Sequence, residues 1–203
     1  MIYLLRHGHL EQVTPRRMVG QRDLPLTALG REQGAAWGRR LAGVEFARVC
    51  ASPLGRTREM ARLVWGERPP TVQYRPELLE IDLGEWSGLT REEIAAAWPG
   101  AWEQRGEDLG GFRPPGGESF GDVATRVAPL WEELTAAPPE ENSLVVSHNG
   151  VIRVLVCAVL GLDLANLWNF ELDYASLTLV ARPRHSWHLH ALNLPLDYPA
   201  LLS

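Results

Sequence analysis

Lysine is absent from this chain. All twenty of its basic residues are arginine. That excludes chemistry built on a primary amine, such as Schiff-base catalysis, the lysine of a Walker A loop or the ATP-binding lysine of a kinase. Cysteine is scarce. Cys50 and Cys157 each sit inside an apolar run (ARVCAS and VLVCAVL) without C-x-x-C spacing, so they read as buried structural thiols. No hydrophobic run reaches the length of a membrane span. The first residues enter a strand pattern at once and do not read as a signal peptide, so a soluble cytoplasmic protein is expected. The net charge of −5 gives no broad attraction to nucleic acid or a membrane surface. An anionic ligand would have to be caught by a local cluster of cations, and arginine does this with a planar fork suited to phosphate.

What is present is a chain of 203 residues, 45% hydrophobic, enough for one sizeable core or two small ones. Apolar runs bounded by turn residues predict strands near Ile2–Leu5, Arg48–Ala51, Thr71–Tyr74 and Ser143–Ser147. Between them lie helical patterns. Thr27 is a candidate cap for a helix to about Leu41 with Leu29, Gln33, Ala36, Trp37 and Leu41 on one face. Ser52-Pro53 marks a helix start running to Val64, and Ser119–Leu134 and Val151–Leu160 give two more. The tail reads as a β-hairpin turning at Arg182–His185. This alternation predicts a three-layer α/β/α fold with a mainly parallel central sheet and an antiparallel edge. No repeat, low-complexity tract or linker interrupts it, so residues 1–203 are expected to form a single domain. One stretch breaks the rhythm. From Ile81 to Glu118, glycine and proline punctuate an irregular insertion, expected to lie over the site.

In open α/β sheets, ligands bind beyond the carboxyl ends of strands. Three such ends carry polar groups here: Arg6-His7-Gly8 after the first strand, Ser52-Pro53 and a helix bearing Arg56 after the second, and His148-Asn149-Gly150 after SLVVS. Helical side chains lean toward the N-terminus, which aims Arg56 back at the strand ends. Helix N-termini add unpaired N–H groups. Two arginines and two histidines would converge on one anion, and phosphate fits best. Singly, each has an ordinary reading: an exposed basic turn for Arg6-His7, a solvated helix arginine for Arg56.

LLRHG, LPLTALGREQG, ASPLGRTREMA, ELLEIDLGEWSGLT, PPGGESFGDVATRV and VVSHNGVIRVL occur in the order found in the histidine phosphatase superfamily. The chain resembles that superfamily, which includes the cofactor-dependent phosphoglycerate mutases, from Met1 to about Leu160. The resemblance implies a phosphoglycerate mutase-like fold. It also implies His7 as a nucleophile forming a phosphohistidine, Arg6, Arg56 and His148 as the phosphate clamp, and Glu80, before LGEWSG, as the proton donor. No metal or other cofactor is implied. His7-x-His9 and His188-x-His190 lack a third ligand at metal spacing. The chain departs from the family where Gly-Glu-Thr often follows the histidine, since Gly8-His9-Leu10 stands there. It departs again at Val13, which occupies the position of a phosphate-touching asparagine, so that contact is expected to be missing or moved to Thr14.

The expected partner is a small-molecule phosphate monoester. Compact length favours hydrolysis over a mutase, whose relatives carry extra closing segments. Retention of all five site residues argues against a non-catalytic phosphate-binding domain. GQRDLPLT, PPGGESF and the late NLWNFEL resemble the α-ribazole phosphatases, which act in cobalamin nucleotide-loop assembly; this implies α-ribazole 5′-phosphate as substrate. The alternative is a broad-specificity small-molecule or sugar phosphatase. Trp98 and Trp102, with Phe112, are candidates to stack a flat base. Arg16, Arg17 and Arg22 read as a solvated face from which one could reach a substrate.

Overall fold

The computed structural model describes residues 1–11, 14–182 and 186–198. Its centre is one six-stranded sheet. The strands are β1 (Ile2–Arg6), β2 (Arg48–Ala51), β3 (Gln73–Tyr74), β4 (Ser143–Ser147), β5 (Leu177–Ala181) and β6 (His188–Leu194), in the order β3-β2-β4-β1-β5-β6. The first four of that order run parallel, and β5 and β6 add an antiparallel edge. The predicted hairpin is therefore present, although its turn at 183–185 lies outside the described residues. β3 is shorter than predicted, pairing only Gln73 and Tyr74 with β2.

Side chains alternate across the sheet. Ile2, Leu4, Cys50 and Val145 face one apolar cluster; Tyr3, Leu5, Val49, Ala51, Leu144 and Val146 face the other. Helices α5 (Phe120–Thr135) and α6 (Asn149–Leu160) cover the first face. Helices α1 (Ala28–Arg40) and α2 (Gly55–Val64) cover the second. Sandwiching leaves both faces dry, which is why these strands read as continuous apolar runs.

Local chemistry explains most helix boundaries. The Thr27 side chain accepts from Gly30 N–H, and Ser119 forms a capping box with Asp122. Two expectations change. Leu29 is 51% exposed rather than part of the buried face of α1. The helix instead approaches its neighbours through Gly30, Gly34 and Gly38, where a Cβ would meet His9 O, Leu63 side-chain carbons and Leu63 O respectively. Helix α2 starts at Gly55, not at Ser52-Pro53, because Asp23 reaches across to accept from Gly55 N–H at 2.8 Å. The stretch 81–118 is also more ordered than glycine and proline suggested. It carries α3 (Arg91–Ala97), opened by a Thr90–Glu93 capping box, and α4 (Ala101–Glu107).

The glycine contact ties α1 to the loop that follows β1. Alanine in a helix interior ordinarily gains about 0.5–1 kcal/mol over glycine. At Gly30 an added Cβ would stand 2.4 Å from His9 O, which is backbone and cannot step aside. Gly30→Ala is therefore expected to destabilise the fold by about 1–3 kcal/mol in urea unfolding; unchanged or increased stability would show that this close approach does not constrain the fold.

Candidate active site

The end of β1 is held from both sides. His7 N–H donates to Ser147 O at 3.1 Å, and Ala175 N–H donates to His7 O at 3.0 Å. The His7 ring is 4% exposed, and its Nδ1 lies 2.9 Å from Gly8 O. A carbonyl only accepts, so Nδ1 carries the proton and Nε2 keeps the lone pair. Burial, then the charges of Arg56 and Arg6, push the His7 pKa well below its ordinary value.

Two guanidinium groups stand beside it. Arg6 lies with its carbon 4.0 Å from the Tyr174 ring centroid and donates to Leu172 O at 2.5 Å. Its Nε is buried without a hydrogen-bond partner among the described residues. Arg56, 2% exposed, donates to Gly20 O at 2.8 Å, Arg22 O at 2.6 Å and His148 Nδ1 at 3.3 Å. The loop that supplies those carbonyls also supplies Asp23, so one segment both starts α2 and cradles its first arginine. Burial lowers the pKa of both arginines, though guanidinium stays charged.

His148 is fully buried, with its ring centroid 5.3 Å from that of His7. Because Nδ1 accepts from Arg56, the proton sits on Nε2 and is donated to Ser52 Oγ at 2.8 Å. Burial first, and then Arg56, holds its pKa well below normal too.

Glu80 enters from the segment after β3. Its carboxylate accepts from Ile81 N–H at 3.0 Å and from Gly150 N–H at 3.2 Å, the latter in the first turn of α6. Arg126 of α5 pins that segment, donating to Glu77 O and Leu79 O while pairing with Glu118. Ser147 Oγ–H donates to Leu78 O at 3.0 Å, fastening the same segment to the end of β4.

Arg6, His7, Arg56 and Glu80 line one cavity of about 550 Å³, with His148 directly behind Arg56. That volume suits a small molecule. Trp102 lines it, but Trp98 and Phe112 do not: Trp98 ends α3 against the apolar cluster, and Phe112 packs on Trp86. Arg16 and Arg17 line the cavity, whereas Arg22 contributes its backbone carbonyl. Val13 lies outside the described residues, and Thr14 is not among those facing the cavity. His9 Nδ1 bonds Thr27 Oγ1 at 2.9 Å. Sequence reasoning missed Tyr174, Asp23 and Arg105. Asp23 lies within GQRDLPLT and Tyr174 just before ASLTLVA, and neither stretch names its contact. Among the described residues, no helix is long and apolar enough to cross a membrane.

A buried neutral imidazole beside two guanidinium groups, with a carboxylate across a small-molecule cavity, is an arrangement suited to phosphoryl transfer. Comparison with known proteins agrees. The family model of the histidine phosphatase superfamily (branch 1) matches residues 2–195, and the chain belongs to that superfamily. It is 37% identical over 175 residues to a glucosyl-3-phosphoglycerate phosphatase of Mycolicibacterium vanbaalenii, covering 81% of this chain and 76% of that protein. It is 32% identical over 179 residues to the adenosylcobalamin/α-ribazole phosphatase of Escherichia coli, covering 85% of each. The crystal structure of the α-ribazole phosphatase from Shigella flexneri superposes with a TM-score of 0.85 at 28% identity, covering 95% of each chain.

The electrostatics predict that neither His7 nor His148 gains a proton between pH 8 and pH 6 in the ligand-free protein. Histidine ring NMR signals should stay at neutral-imidazole positions through that range, while free imidazole titrates near 6.5. A midpoint near 6.5 for either residue would contradict the burial and charge argument.

Proposed function

We propose that this site hydrolyses a small-molecule phosphate monoester by way of a phosphohistidine at His7. As a superfamily member with phosphatase-named relatives, the chain is a phosphoric monoester hydrolase. The observation that carries the residue assignment is the tautomer: Gly8 O fixes the proton on Nδ1 and leaves the Nε2 lone pair available at the cavity wall. In the first step that lone pair forms the N–P bond as the ester P–O bond breaks. The departing oxygen takes a proton from Glu80. In the second step water attacks phosphorus, gives its proton to the Glu80 carboxylate, and the N–P bond breaks. Inorganic phosphate and the starting enzyme result.

Arg6 and Arg56 stabilise the charge spread over the non-bridging oxygens, which is the main source of catalysis in phosphoryl transfer. His148 acts through Arg56: its Nδ1 accepts from Arg56 and its Nε2–H is given to Ser52, so it positions that guanidinium and does not itself face the phosphate. Glu80 is oriented by two backbone N–H groups, so its proton is delivered from a defined position.

For the ester itself, Trp102, Phe120 and Trp168 line the cavity and support a flat aromatic group, as α-ribazole 5′-phosphate carries. The similarity to α-ribazole phosphatases points the same way. A broad-specificity phosphatase is the other reading, supported by the spread of substrates named among relatives.

Replacing His7 by Ala is expected to abolish turnover of every ester while the fold survives. Glu80→Gln should slow alkyl phosphates by about 10²–10⁴-fold and p-nitrophenyl phosphate far less, since its phenolate leaves without a proton. Steady-state kinetics on both substrates decides this. Equal losses would remove Glu80 as the acid, and turnover in His7→Ala would remove the nucleophile.

A further inference from the structure

The cavity holds more positive charge than a phosphate needs. Five arginines line it (Arg6, Arg16, Arg17, Arg56 and Arg105) against two carboxylates, Glu11 and Glu80. Arg6 and Arg56 flank His7, and Arg17 is committed to Glu93 and to Gly88 O. Arg105, on α4 within the stretch that interrupts the α/β rhythm, is different. It is partly buried, and no carbonyl or carboxylate accepts from it among the described residues. Its contacts are two aromatic faces at long range, Trp102 with centroid at 5.7 Å and Phe120 at 5.8 Å. Both distances are close to the outer limit of about 6 Å for a cation–π contact. Burial lowers its pKa with no neighbouring negative charge to offset it.

The placement of Arg105 relative to the chemistry follows from Gly150. A Cβ built there would stand 2.4 Å from Glu80 Oε1 and 3.2 Å from Phe120 Cε1, so the carboxylate and the edge of that ring share the space above α6. Arg105 lies over the same ring. It is thus one aromatic ring away from the group that, on the reading above, protonates the leaving oxygen. A guanidinium with five donors and no acceptor, partly withdrawn from water beside a cavity, favours an anionic ligand.

We propose that Arg105 forms a second anion subsite which binds a carboxylate carried by the alcohol portion of the phosphate ester. This rests on the phosphomonoesterase reading but competes with α-ribazole 5′-phosphate as the ester: preferred substrates are acidic phosphate esters with at least one anionic group besides the phosphate. Trp102 and Phe120 then serve as walls that exclude water and strengthen the Arg105–carboxylate pair. An ester with a neutral aromatic alcohol leaves Arg105 unpaired beneath it.

The test compares 3-phosphoglycerate with glycerol 3-phosphate, close analogues that differ in the carboxylate, alongside p-nitrophenyl phosphate and α-ribazole 5′-phosphate. In the wild-type enzyme, kcat/KM should favour 3-phosphoglycerate over glycerol 3-phosphate by about tenfold or more, the scale of a charge-assisted hydrogen bond. Arg105→Gln should remove that preference and leave glycerol 3-phosphate and p-nitrophenyl phosphate within about twofold of wild type. Arg105→Lys should restore part of it. Equal wild-type rates on the two analogues, an Arg105→Gln loss shared by all esters, or a preference for α-ribazole 5′-phosphate untouched by Arg105→Gln would each overturn the proposal. Failure of wild type to hydrolyse any ester would instead overturn the phosphatase reading beneath it. Circular dichroism and the Tm of Arg105→Gln establish that the variant is folded.

Discussion

The site depends on how its buried arginines are satisfied. Arg56 gives its protons to the carbonyls of Gly20 and Arg22 and to an imidazole nitrogen, and Arg6 gives one to the carbonyl of Leu172. No carboxylate accepts from either guanidinium among the described residues; Asp23 takes only the backbone N–H of Arg56. A direct ion pair would orient the guanidinium equally well but cancel its charge. Carbonyls orient it and leave the charge in place. Desolvation of such a cation is costly, and here part of that cost is relieved by the Glu80 charge acting on both arginines from a short way off. The result is a positive floor that also keeps the adjacent imidazoles neutral, since a proton on His7 or His148 would add like charge to a dry site.

The fold is arranged to hold that floor rigid. β1 lies between β4 and β5, so His7 is gripped by backbone bonds to Ser147 and Ala175 on opposite sides. Helices on both faces of the sheet start beside the strand ends, which brings Arg56 from one face and Gly150 from the other. The Glu80 segment belongs to no long element. It is stabilised instead by Arg126, Glu118 and Ser147 acting on its backbone. The stretch 81–118 then supplies the outer wall through α4. Precision at the floor thus comes from the sheet, and the outer wall of the cavity is built in part from the short helix α4.

Much of this was legible in the sequence, because strand runs and helix caps are local signals. The apolar run in MIYLLR, the cap Thr27 and the helix start at Ser119 are each written within a few residues of where they act; the Thr90–Glu93 box is equally local but lies in a stretch whose glycines and prolines read as irregular. What escaped was set by tertiary contact. Asp23 caps α2 from 32 residues away, displacing the start expected at Ser52-Pro53. Gly30, Gly34 and Gly38 make the close approach of α1, while Leu29, chosen for its hydrophobicity, faces solvent. Trp98 and Trp102 sit four positions apart, yet Gly100 adopts a left-handed conformation between them and starts a new helix, so only Trp102 reaches the cavity. Arg105 carries no motif, and its lack of a hydrogen-bond acceptor among the described residues is a product of tertiary packing.

The central claim is that phosphorus is bonded to His7 Nε2 during turnover. Rapid quenching of the enzyme with a 32P-labelled ester, followed by digestion under alkaline conditions and peptide mapping, tests it directly. The account predicts a transient, acid-labile label on the peptide containing His7, appearing and decaying at rates consistent with turnover. Label that never appears while phosphate is released, or that maps to another residue, would contradict it.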